Sequence, residues 1–177
     1  TTYNSGDTIV STSFDDMTGW FYFTIPAKVE DIKVTQRPSR VYLEVDKTYS
    51  EVYFLNDLSI NGPIRMTANV ESVAGPNTNN ISLVCRATDK GFYEFSMSSG
   101  GYWWIWKYDF AKDHYSALSK GASTSIHLMK ASNELQAECS GEDLTFWING
   151  KKVGTASDPD FPEGQFGVGV YADKIQG

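Results

Sequence analysis

The chain has 177 residues, of which 41 % are hydrophobic and 14 % aromatic, enough apolar material for one large core and too much for a disordered chain. Fifteen basic residues against twenty-two acidic ones leave a net charge of −7, which repels a phosphate backbone and an anionic lipid surface and so argues against nucleic acid and membrane-surface partners. No apolar run approaches the roughly 20 residues of a membrane span.

Residues 1–7 read as a polar, flexible lead-in. The N-terminus TTYNSGDTIV lacks the basic and apolar regions of a signal peptide, and a chain starting at Thr reads as a mature or excised domain. Thr8 to Phe14 alternates weakly as a first strand, and Asp15-Asp16-Met17-Thr18-Gly19 is a turn cluster. The aromatic run Trp20-Phe21-Tyr22-Phe23 follows and is closed by Pro26. Val29 to Thr35 has a mixed pattern, and Arg37-Pro38-Ser39 marks a loop. Arg40 to Asp46, Ser50 to Ile60 and Pro63 to Val73 are strands. In the last, Ile64, Met66, Ala68 and Val70 alternate with Arg65, Thr67, Asn69 and Glu71. After the loop Gly75 to Asn80, the stretch ISLVCRA alternates Ile81, Leu83 and Cys85 against Ser82, Val84 and Arg86.

Gly91 to Phe110, GFYEFSMSSGGYWWIWKYDF, is the densest feature of the chain, with three of the five Trp at positions 103, 104 and 106. It reads as two strands joined at Ser98-Ser99-Gly100-Gly101, because aromatics cover a pleated surface well and the Ser/Gly cluster supports a tight connection. Period-two parity puts Tyr93, Phe95, Met97, Trp103 and Ile105 on a core face. Tyr102, Trp104, Trp106 and Tyr108 fall on the opposite, outward face, with Glu94 and Ser96.

Residues 111–123 are irregular, a helical turn or a long loop. Ser125 to Lys130, Glu134 to Glu138 and Asp143 to Asn149 are further strands. Asn149-Gly150 is a strong hairpin signal joining LTFWI to KKVGTA. Asp158 to Gly164 is a turn-rich loop and QFGVGVYA the last strand. About twelve short strands with regular turn signals and no helical period predict an all-β antiparallel sandwich of two packed sheets, as one domain over residues 1–177. Cys85 and Cys139 both fall in strands. They are either buried free thiols or one inter-strand disulfide, the latter implying an oxidising compartment.

The order LVCRATDKGFYEFSMSSGGYWWIWK, ELQAECSGEDLTFWINGKKV, DPDFPEGQFGVGVYA resembles the concanavalin-A-like lectin and glucanase jelly rolls, in particular non-catalytic bacterial secreted and lipoprotein modules. The residues that carry the likeness are Cys85-Arg86, Phe92-Tyr93, Cys139-Ser140-Gly141, Asn149-Gly150, Asp160, Gly164 and Gly167, within roughly residues 63 to 171. Such modules usually end on one more strand, whereas this sequence stops at Lys174-Ile175-Gln176-Gly177. Either that strand is supplied differently or the chain is truncated, and an edge left unpaired would favour a dimer or a partner protein. The resemblance implies one concave sheet and a role in glycan binding, glycan cleavage or protein contact, at the cell surface or outside the cell.

Cleavage needs two carboxylates flanking the scissile bond. The jelly-roll glucanases carry them as Glu-x-Asp-x-Glu, and no such string exists here. Glu134 and Glu138 share a face, but Gln occupies position 136. Glu94 opposite Arg86 reads as a salt bridge. No nucleophile motif is present, and His114 and His127 have no metal-ligand spacing. No cofactor is expected from the residues themselves; the resemblance implies calcium as an option, with Asp15, Asp16, Asp158 and Asp160 as the candidate oxygen donors, against the reading that Asp simply favours turns. The functional expectation therefore rests on Tyr102, Trp104, Trp106 and Tyr108 as an aromatic platform for a sugar, with Arg86 and Glu94 as orienting polar groups. The alternative is that residues 111–123 cover this face and make it a second small core.

Overall fold

The computed structural model describes residues 6–26 and 32–174. Most of the lead-in (residues 1–5), part of the mixed Val29 to Thr35 segment and the terminal residues 175–177 lie outside the described residues. Among the described residues thirteen strands follow one another: β1 Trp20–Ile25, β2 Ile32–Arg37, β3 Arg40–Val45, β4 Ser50–Asn61, β5 Ile64–Glu71, β6 Asn80–Ala87, β7 Gly91–Ser98, β8 Tyr102–Asp109, β9 His114–Ala122, β10 Ser132–Ser140, β11 Asp143–Ile148, β12 Lys151–Ser157 and β13 Glu163–Ala172. None of the described residues is helical, and no helix is long and apolar enough to cross a membrane.

The strands form a seven-stranded sheet in the order β1-β4-β13-β6-β7-β8-β9, a four-stranded sheet β12-β11-β10-β5, and the hairpin β2-β3. All pairings are antiparallel. The two larger sheets face each other across a core built from Leu83, Tyr93, Phe95, Met97, Trp103 and Ile105 on one side and Leu135, Ala137, Leu144, Phe146 and Ile148 on the other. The core-facing half of the aromatic hairpin is therefore as the alternation predicts. A smaller cluster of Ile32, Val34, Leu43 and Val45 seats the β2-β3 hairpin on Val52 and Val170.

Local chemistry accounts for the joints. Asn149 and Gly150 both have positive φ, at 52° and 77°, the pair of left-handed residues a two-residue hairpin turn requires. Trp103 closes the sandwich beside β9 and β12, where a Cβ on Gly154 would lie 2.2 Å from its ring, so only glycine fits. Cys85 on β6 and Cys139 on β10 are disulfide-bonded and tie the two sheets together.

Two strand readings in this part of the fold differ from expectation. Thr8 to Phe14 is not a strand, although Phe14 packs edge-on against Trp20 at 5.1 Å. Ser125 to Lys130 is a set of turns held by Asn133, which accepts from His127 N at 2.8 Å and donates to His127 O at 2.9 Å. Its apparent alternation is overridden because side-chain amides and isolated loop contacts such as Met129 N to Ser99 O at 3.0 Å, not a strand neighbour, satisfy its backbone. The last described strand, β13, lies inside the large sheet between β4 and β6.

Candidate functional site

The face of the large sheet turned away from the core carries the residues singled out for function. Register fixes which side chains meet there. One cross-strand row runs Phe23, Tyr53, Gly169, Ser82, Ser96, Trp104, Lys120, and the next Phe21, Leu55, Gly167, Val84, Glu94, Trp106, Ala117. β4 and β9 stand five strand positions apart, roughly 24 Å in a flat sheet at about 4.8 Å per strand. Yet the hydroxyls of Tyr53 on β4 and Tyr115 on β9 are 2.6 Å apart. The sheet is therefore strongly curled, and this outer face is concave.

Curling divides the face into a closed part and an open part. In the closed part Tyr53, Leu55, Val84, Phe92 and Tyr108 are buried together with Phe23 and Tyr115 against them. Tyr108, expected on the open platform, is only 3 % exposed. Tyr115 lies over it at 4.4 Å between ring centroids, Phe92 at 5.3 Å and Phe110 at 4.9 Å, and its hydroxyl donates to Asp113 at 2.5 Å. Residues 114–122, read as irregular, form the strand β9, and it is β9 that brings Tyr115 over Tyr108. The anticipated second core thus exists, over part of the face only.

The open part is the rest of β8. Tyr102 is 56 % exposed, and Trp104 and Trp106 are half-buried. Tyr102 and Trp104 lie 6.3 Å apart, Trp104 and Trp106 6.1 Å apart with planes 14° from parallel. Trp106 Nε1 donates to Ser96 Oγ at 3.1 Å, which fixes its indole, and its ring meets Tyr115 edge-on at 6.3 Å. Elsewhere on the face, Phe21, Phe23, Leu55, Ala87 and Phe110 line an open groove of about 490 Å³ with Thr88, Asp89 and Gln165 among its walls.

Glu94 belongs to the closed part. It is 3 % exposed and pairs across the sheet with Val84 and Trp106, not Arg86. Tyr53 donates to it at 2.8 Å, and Tyr115 donates to Glu51, so Glu51, Tyr115, Tyr53 and Glu94 form one hydrogen-bonded chain across the concavity. Burial, then repulsion from Glu94, raises the Glu51 carboxyl to about 8, and burial raises Glu94 to about 7. Burial also raises both phenols. Ser82 Oγ is near enough to Glu94 to favour its charged form but makes no hydrogen bond of proper geometry. Glu51, Tyr53 and Tyr115 had no sequence signal as a group. Glu51 and Tyr53 are two apart on one strand, which marks a shared face, but nothing local says that β9 reaches them.

Arg86 turns away from this face. A β-bulge between Gln165 and Gly167 opposite β6, with Arg86 at φ 55°, interrupts the alternation. Its guanidinium instead donates to Gly141 O at 2.5 Å and Phe161 O at 3.2 Å. The expected Arg86–Glu94 salt bridge is therefore absent, and Arg86 clamps two loops.

Each candidate calcium donor has other partners. Asp15 accepts from Ser13 Oγ at 2.5 Å and Ser39 N at 2.9 Å, and Asp16 from Thr18 N at 2.8 Å. Asp158 accepts from Tyr93 OH at 2.6 Å and from Lys107 at 2.9 Å, while Asp160 also pairs with Lys107. Among the described residues no three His, Cys, Asp or Glu gather into a metal-binding group. On the outer face of the four-stranded sheet, Trp147 is half-buried between Arg65 at 5.7 Å and Lys152 at 5.5 Å. Glu138, set aside with Glu134 as a catalytic pair, is paired there with Arg65.

No family model matches the sequence, and no curated protein matches it. Solved structures do. The carbohydrate-binding module CBM66 from Bacillus subtilis superposes with a TM-score of 0.70 at 16 % identity, covering 87 % of this chain and 88 % of that one. A Bacillus subtilis protein of unknown function with a galectin-like fold gives 0.62 at 13 % identity over 86 % and 83 %. A family 16 endo-glucanase from Bacteroides ovatus gives 0.61 at 10 % identity over 92 % and 85 %. At these identities the likeness is one of fold: the chain has the concanavalin-A-like jelly-roll fold.

Proposed function

We propose that this chain is a glycan-binding or surface-attachment module that works outside the cytoplasm and does not cleave its ligand. The observation that carries the reading is the open row Tyr102, Trp104 and Trp106 on the concave face, with Trp106 fixed by Ser96. Sugar rings present apolar C–H faces, and indoles held in place by neighbours bind them at small entropic cost. Lys120, across the strand from Trp104, and the half-buried Asn80 of β6 offer polar contacts at the margin. The carbohydrate-binding module among the structural neighbours supports the reading at the level of fold. The disulfide is compatible with an oxidising, extracellular setting.

Binding without hydrolysis is supported by the state of the carboxyl groups. Glu51 and Glu94 are each hydrogen-bonded to a tyrosine hydroxyl, and Glu94 is out of reach of a ligand. One observation favours hydrolysis as a second reading: two carboxyl groups with raised pKa values share the concave face, as a glycosidase acid requires.

A glycan array, followed by titration of the best hit against tryptophan emission and an assay for released reducing ends, tests both. The proposal predicts a hit that shifts the emission and survives intact. Reducing-end release by the parent but not by Glu51→Gln would move the assignment to hydrolysis, and an array without hits would remove the glycan reading.

A further inference from the structure

The chain of contacts Glu51–Tyr115, Tyr115–Tyr53 and Tyr53–Glu94 can be read by counting protons. Each hydrogen bond needs one proton between its two oxygens, so three contacts need three. The two phenols supply one each. With both carboxyl groups ionised, Tyr53 donates to Glu94 and Tyr115 to Glu51, and the two phenolic oxygens then face each other at 2.6 Å with lone pairs only. The contacts as they stand are complete when one carboxyl keeps its proton.

We infer that Glu51 and Glu94 share one proton at neutral pH through the two tyrosines, and that this proton closes the concave face over its inner part, making the binding face pH-sensitive. Losing it leaves Tyr53 and Tyr115 without a proton between them, in a buried site where an unmade hydrogen bond is costly. Tyr115 is then free to move away on β9, which is an edge strand. Its ring also packs edge-on to Trp106, so the open aromatic row loses a support.

Among the described residues, the groups that act on the cluster are acidic or phenolic, apart from the Ser82 hydroxyl beside Glu94. From β4 come Glu51 and Tyr53, from β7 Glu94, and from β9 Tyr115. Tyr108 of β8 with its partner Asp113, and Tyr171 of β13 with Asp173 and Tyr49 nearby, feel the Glu51 charge. Among the described residues no cation figures in the balance of either carboxyl, and the raised values of about 8 and about 7 agree with retention of the proton near neutrality. Both values lie above the unfolded 4.5, so the folded state binds more protons than the unfolded one across that window. The stability linked to the pair is present in full below 4.5 and is lost as pH rises through 7 to 8.

The test uses the whole chain, with vibrational or carbon-13 detection of glutamic acid side chains during a pH titration and thermal unfolding in parallel. The expected result is one protonated carboxyl at pH 7, lost on going to pH 9, with a fall in Tm over the same interval. Glu94→Gln supplies a permanent amide donor to Tyr53, so its unfolding curve should lose that pH step; Glu51→Gln should behave alike. Two ionised carboxylates at pH 7, or a pH step that survives in both variants, would overturn the shared proton. The effect on binding rests on the glycan reading and is read separately on the array's best hit. Affinity that falls severalfold from pH 7 to pH 9 in the parent and stays level in Glu94→Gln supports the link. Equal affinity in the parent at both pH values refutes the link while leaving glycan binding in place.

Discussion

The two faces of the β7-β8 hairpin are both largely buried, but by different means. On the inner face Tyr93, Phe95, Met97, Trp103 and Ile105 meet a second sheet, and apolar area removed from water holds them. On the outer face no second sheet arrives among the described residues. The large sheet instead curls until Tyr53 and Tyr115 touch, and burial there is partial, aromatic and polar at once. A face closed by a packed sheet is fixed by volume. A face closed by two hydroxyls and two carboxyl groups is fixed by protons, and what it leaves uncovered is available to a ligand.

That contrast orders the expected effects of substitution. Phe146→Ala removes the ring that meets Phe95 across the sheets at 5.7 Å and should cost about 3–5 kcal/mol in denaturant unfolding. A loss below 1 kcal/mol would mean the inter-sheet core is not what holds the sandwich. Reducing the Cys85–Cys139 bond, which spans 54 residues, should cost about 2–4 kcal/mol, seen as a lower urea midpoint for the reduced protein. Arg86→Met orphans the carbonyls of Gly141 and Phe161 and should cost about 1–3 kcal/mol. If Arg86 served a ligand instead, stability would hold and affinity would fall.

The inner face was legible because β7 and β8 alternate along the hairpin, so parity assigned Tyr93, Phe95, Met97, Trp103 and Ile105 by counting. Parity failed at Arg86, where a bulge inserts a residue with φ 55° that no composition signal announces. It was silent on β9, because the edge strand HYSALSKGA is only half-buried and has its own register shift opposite Ile105 and Trp106. The Glu51–Tyr115–Tyr53–Glu94 chain lay beyond sequence reading, since its contacts join residues 41 to 64 positions apart through the curvature of a whole sheet. Ser125 to Lys130 shows the opposite error: alternation without a neighbouring strand to pair with.

The smallest expected effect on stability belongs to the residue with the largest expected effect on function. Trp104 is half-buried on the open part of the concave face, so Trp104→Ala should leave the unfolding midpoint close to that of the parent. Trp147 is also half-buried, on the outer face of the other sheet, and serves as its control. Calorimetric titration of the best array hit into the parent, Trp104→Ala and Trp147→Ala compares the two surfaces directly. Placing the ligand on the concave face predicts at least tenfold weaker binding for Trp104→Ala and unchanged binding for Trp147→Ala. Loss of binding in Trp147→Ala alone would contradict it and put the ligand on the opposite side of the molecule.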